Sequence, residues 1–135
     1  MTFPYVTAVT AGAILILQIL LALAVSMARS DTSLGDGGKP ELTRAIRRHG
    51  NIAENAGVFI AALTLLELSG KAPSVLFWLC VAFVVVRLIH AAGLSRENTT
   101  NPLRAIGGVG TYLVGLVLGA MLIWVALPML LAGHV

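Results

Sequence analysis

Arg44, Arg47, Asn51, Glu54 and Asn55 follow one another at spacings of three, four, three and one. On a helix these positions share one broad face. Arg87 and His90 stand three apart further along the chain, and Arg104 opens the last apolar stretch. Two readings are open. In one, Arg44, Arg47 and Arg48 are positive-inside anchors, with Glu54 and Arg87 a structural pair. In the other, the guanidinium groups, carboxamide, carboxylate and imidazole line a pocket that suits a small anionic or zwitterionic ligand with its own carboxylates and amine. These groups do not suit a metal, because Arg has no lone pair to offer one. No pair of carboxylates resembles a hydrolase dyad, and no Ser-His-Asp order occurs. The Gly-Asp-Gly-Gly run at 35–38 reads as a turn. Arg48 and His49 lie off the shared face and suit lipid headgroups.

What must position these side chains is a set of membrane helices. The chain has 135 residues, 58% hydrophobic and 11% charged, where a soluble domain carries about a quarter charged. Residues 5–28, 55–66, 72–86 and 105–133 carry no charge, and a spanning helix needs about 20 apolar residues. The pattern predicts one all-α transmembrane domain over residues 1–135, a four-helix up-down bundle with helices at about 3–28, 40–69, 73–94 and 102–132. Gly-rich turns and Pro40, Pro73 and Pro102 punctuate it, and Pro128 is expected to bend or end the last helix. The first apolar run has no Lys or Arg before it and is too long for a signal-peptide core, so it is expected to remain as a helix. A lone Cys80 offers no disulfide framework.

The net charge of +3 is a topology signal, and nucleic acid is not an expected partner, because the Lys and Arg residues adjoin apolar segments. Arg29, Lys39, Arg44, Arg47 and Arg48 flank the first connection, Arg96 and Arg104 the third, and only Lys71 the second. The positive-inside rule puts the first and third connections in the cytoplasm and both termini outside. Counting along antiparallel helices sets Glu54 and Arg87 at similar depth, about 10 Å inside a hydrocarbon core about 30 Å thick. A lone charge at a helix centre costs about 2.5–3.5 kcal/mol, so the two are expected to face the bundle interior and pair. Gly107, Thr111, Gly115 and Gly119 recur at intervals of four. Such a small-residue stripe lets helices approach closely, within or between subunits.

"TRAIRRHGNIAEN" at 43–55 resembles the second-helix motif of the MAPEG superfamily, the membrane-associated proteins in eicosanoid and glutathione metabolism, through Arg47, His49, Asn51 and Glu54. "VRLIHAAGLSR" is similar to the family's third-helix Arg-x-x-His, here Arg87 and His90. "NPLRAIGG" is similar to its Pro-x-Arg at the start of helix 4, here Arg104. "LGDGG" and "HGN" resemble the small bacterial branch, which implies an inner-membrane location. The resemblance implies a homotrimer of four-helix subunits, with glutathione between neighbours near the cytoplasmic helix ends. It implies glutathione contacts from Arg47, Asn51, Glu54, Arg87 and His90, and from Arg29 at the end of helix 1. Arg104 matches the arginine that faces the glutathione sulfur in the family's enzymes. Gly50, Leu94 and Ala105 stand where some members carry an Arg, a Tyr and a Ser. Tyr112, two turns after Arg104, is within reach of the same cavity.

The activity this implies is a glutathione transferase, with peroxidase activity a further option, acting on lipophilic small molecules that arrive through the bilayer. Two other readings stay open. One is a non-enzymatic glutathione- or lipid-binding membrane protein. The other is a small proton-coupled exporter using the membrane carboxylate Glu54.

Overall fold

The computed structural model describes residues 3–29, 34–95 and 101–133. Arg96, counted above in the third connection, lies outside them. Four helices run in order: α1 (Tyr5–Ala28), α2 (Pro40–Leu68), α3 (Pro73–Leu94) and α4 (Pro102–Leu131). No strand occurs among the described residues. All four helices are long and apolar enough to cross a membrane.

Local chemistry explains the boundaries. Pro40, Pro73 and Pro102 each occupy the first turn of a helix, where the N–H they lack has no helical partner anyway. Asn101 caps α4, its side-chain oxygen accepting the N–H of Leu103 at 2.9 Å. The α2–α3 reversal uses Gly70 (φ +66°) and Ala72 (φ +49°). Ala72 is the one non-glycine residue in the left-handed region among the described residues, a conformation that costs about 1–2 kcal/mol. α1 starts at Tyr5 because Pro4 takes the cap position. α4 continues through Pro128 to Leu131, so that proline does not end the helix. The remaining turn is short, and Ala132 N–H closes it on the Pro128 carbonyl at 3.0 Å.

α3 packs along α4 and α1 along α2, while α2 and α3 touch each other and each also reaches one helix of the opposite pair. α1 and α4 do not meet. The core between them holds Ile14, Ile52, Leu63, Leu66, Leu76, Phe83 and Leu118. Phe59 of α2 stacks on Phe83 of α3, ring centroids 4.3 Å apart and 7° from parallel. Outward faces are apolar as well: Ile16, Leu20, Leu116, Ile123 and Trp124 are exposed, as expected of surfaces solvated by lipid.

The small-residue stripe packs against other helices of the same chain. A methyl at Gly107 would sit 2.5 Å from the Cα of His90, and one at Gly115 would sit 3.0 Å from the Phe59 ring. Thr111 is buried and hydrogen-bonds across to α3. Only at Gly119 would a methyl meet nothing within 4 Å. Gly93 supplies the reciprocal gap on α3, where a methyl would run into the Arg104 backbone. α3 and α4 therefore approach almost backbone to backbone at the end where the polar residues lie.

Candidate functional site

Those close contacts leave a cavity of about 730 Å³ between α2, α3 and the start of α4. Arg47, Asn51 and Glu54 line it from α2, His90 from α3 and Arg104 from α4. Along α2 the first and last of the three are seven residues apart, about 10 Å of helix. Two guanidinium groups and one carboxylate thus face one space. Arg47 and Glu54 are exposed, Asn51 and Arg104 half-buried, and His90 buried.

Second contacts fix several of these groups. The Nδ1 of His90 is 3.1 Å from the carbonyl oxygen of Arg104. A carbonyl only accepts, so Nδ1 carries the proton in this contact and, in the neutral ring, Nε2 is left as an acceptor. The two residues are thereby tied together across the α3–α4 gap that Gly93 and Gly107 permit. Arg87 is 1% exposed and does not line the cavity. It lies behind the wall, with Nη2 donating to the Asn51 Oδ1 at 2.6 Å and Nη1 donating to the Thr111 Oγ1 at 3.2 Å.

Arg87 does not form the expected ion pair with Glu54: no such pair lies within 4.0 Å among the described residues. Asn51, one turn earlier, is the α2 side chain turned toward α3, whereas Glu54 is exposed on the cavity wall. Arg29, the C-cap of α1, also lies outside the cavity lining. α1 does not reach α4, whose first turns form one side of the space. Arg48 departs from the headgroup reading too. Its Nη1 donates to Ser95 Oγ at 3.0 Å, tying α2 to the end of α3.

Gly50, Leu94 and Ala105 all line the cavity, and so does the exposed Tyr112. None of Gly50, Leu94 and Ala105 brings a polar side chain to the wall. Asn101 is a lining residue that periodicity passes over. An Asn immediately before Pro102 is a legible helix cap, and capping is what brings it there. No cluster of His, Cys, Asp and Glu fit to hold a metal occurs among the described residues.

The MAPEG family model matches residues 7–124. The chain belongs to the MAPEG family. With its four apolar helices, this MAPEG member is an integral membrane protein, and its cavity is built by the three segments that carry the motif residues. No curated protein matches the chain.

Proposed function

We propose that this MAPEG protein is a glutathione-dependent transferase that joins the glutathione thiolate to lipophilic electrophiles. The observation that carries the reading is one cavity lined by Arg47, Asn51, Glu54, His90 and Arg104 in a chain of this family. Glutathione carries two carboxylates and one ammonium at neutral pH. Arg47 can pair with a carboxylate and Glu54 with the ammonium, which leaves Arg104 for the sulfur.

In this reading Arg104 faces the sulfur. A thiol with pKa about 8.5 is mostly protonated at pH 7, and lowering it by two units takes about 2.7 kcal/mol of preference for the thiolate. A guanidinium at hydrogen-bonding distance in a partly dry site supplies a preference of that order. Ala105, Leu94 and Gly50 contribute no hydroxyl or charge here, so Arg104 acts without the neighbours some relatives have. The thiolate attacks the electrophilic carbon, a carbon–sulfur bond forms and the leaving group departs with the electron pair. Tyr112 and Val109 line the cavity and are exposed, and in this reading they meet the apolar part of the substrate.

The reading includes a homotrimer in the bacterial inner membrane, with the first and third connections cytoplasmic. A neighbouring subunit would cover the open side of the cavity, and Arg29 would contribute from that neighbour. Native mass spectrometry tests the assembly. The functional test is a thermal-shift titration with glutathione in detergent, followed by conjugation to a generic aromatic halide. A protein stabilised by glutathione that turns over no electrophile supports a binding protein instead. No stabilisation at millimolar glutathione overturns the reading.

A further inference from the structure

Arg87 is a large, fully charged side chain buried to 1% exposure, and it reaches the cavity only through another residue. Its contacts have a definite direction. Arg has donors and no acceptor. The Thr111 hydroxyl donates its proton to the Gly107 carbonyl at 2.7 Å, which leaves its oxygen to accept from Arg87 Nη1. On the other side Arg87 Nη2 donates to Asn51, so the atom of the Asn51 amide that meets Arg87 must be Oδ1. The amide cannot be flipped without setting its NH2 against a guanidinium. With Oδ1 held, Nδ2 is the end left for the cavity that Asn51 lines.

We infer that Arg87 is a positioning residue: by holding Oδ1 of Asn51 it makes Asn51 present an N–H donor, which selects a carbonyl or carboxylate oxygen of the ligand at that point of the cavity. Arg87 therefore touches no ligand and still sets what the site recognises. The guanidinium reaches one side chain on each of α2 and α4, so it also fixes where the donor stands relative to Arg104. This inference rests on the glutathione-binding reading for its ligand, and on the hydrogen-bond directions alone for the orientation of the amide.

The test uses the full-length protein in nanodiscs, with glutathione affinity measured by calorimetry. R87Q should weaken binding at least tenfold, N51A by a similar factor, and the double variant by no more than about threefold beyond N51A alone. R87K, which keeps one donor for Asn51, should recover part of the loss. Turnover at saturating glutathione should change far less than affinity in R87Q. Multiplied losses in the double variant, or an R87Q affinity within twofold of the parent, overturn the inference. Should R87Q fail to fold, N51D answers the same question. Its carboxylate keeps the Arg87 contact but turns an acceptor to the cavity, so folding should survive and affinity should fall at least tenfold; unchanged affinity overturns the inference. If the parent protein binds no glutathione, the ligand reading fails separately. The orientation is then read from the asparagine side-chain NH2 signal that N51A removes. Exchange of that signal with water supports the inference, and contact with Arg87 protons instead of water overturns it.

Discussion

The carboxylate of Glu67, near the end of α2, accepts the backbone N–H of Thr7 at 2.7 Å and, through its other oxygen, that of Val6 at 3.0 Å. It serves the first turn of α1 as a cap supplied from another helix. Pro4, at the cap position itself, makes no side-chain cap bond. A carboxylate suits those orphan N–H groups and the positive end of the helix dipole.

Removing it should loosen the α1–α2 pair. Charge-assisted hydrogen bonds contribute about 1.5–3 kcal/mol, so Glu67→Ala should lower stability by about 2 kcal/mol. Glu67→Gln, which retains one acceptor oxygen, should lose about half of that. Unfolding in detergent, followed by denaturant or heat, gives the comparison. An unchanged Glu67→Ala protein would show that the cap is dispensable.

The glycine stripe yields a paired prediction. Gly107→Ala forces a methyl against the His90 backbone, and overpacking of this kind costs about 1–3 kcal/mol. Gly119→Ala meets open space and should be neutral or stabilise by up to about 1 kcal/mol through helix propensity. Gly107→Ala should also weaken ligand binding, since it parts His90 from Arg104. Equal stability of the two variants would contradict the packing described for α3 and α4.

Arg104→Leu should reduce conjugation at pH 7 about 25-fold, the ratio of thiolate fractions at that pH for thiols of pKa about 6.5 and about 8.5. The loss should shrink as pH rises past the free thiol's own pKa, where deprotonation no longer needs help. A pH–rate profile of both proteins checks this. Parallel profiles would mean that Arg104 does something other than favour the thiolate.

Asp36 gives a pH dependence outside the membrane. The Thr43 hydroxyl donates to its carboxylate at 2.6 Å and the Gly38 N–H at 3.1 Å. These bonds, the Thr43 one foremost, hold the Asp36 carboxyl below its ordinary value. A depressed folded value contributes stability that is complete above the unfolded pKa of about 3.9 and disappears as pH falls through the folded one. Asp36→Asn should remove that acid-side dependence and leave the neutral-pH cavity intact. A carbon-13 titration of the Asp36 carboxyl with a midpoint at or above the unfolded value would exclude the effect.

Much of this architecture is legible without coordinates. Uncharged run lengths mark four helices, and Pro40, Pro73 and Pro102 mark three of their starts. The spacing of Arg47, Asn51 and Glu54 puts them on one face whatever the neighbours do. What spacing does not supply is which side chain on that face turns to which helix. Glu54 and Arg87 stand at similar depth and attract by charge, yet Arg87 bonds Asn51, because rotation of α2 about its axis decides the meeting and no local signal encodes it. The stripe on α4 is similar: its period is visible at once, whereas its partners, His90 and Phe59, come only from packing. Arg29 illustrates a third case, because whether the end of α1 reaches a cavity depends on which helices adjoin, and α1 does not adjoin α4.

The polar face of α2 also bears on how the chain is made. Its most apolar stretch has mean hydropathy 1.3, against 2.5, 2.3 and 2.4 for α1, α3 and α4. A nascent segment this much less apolar than its neighbours gains less by leaving the translocon alone. Glu67 binding the start of α1, and Asn51 held by Arg87, both satisfy polar groups that lipid cannot. Asn51 of α2 therefore gains this partner only once α3 has been synthesised.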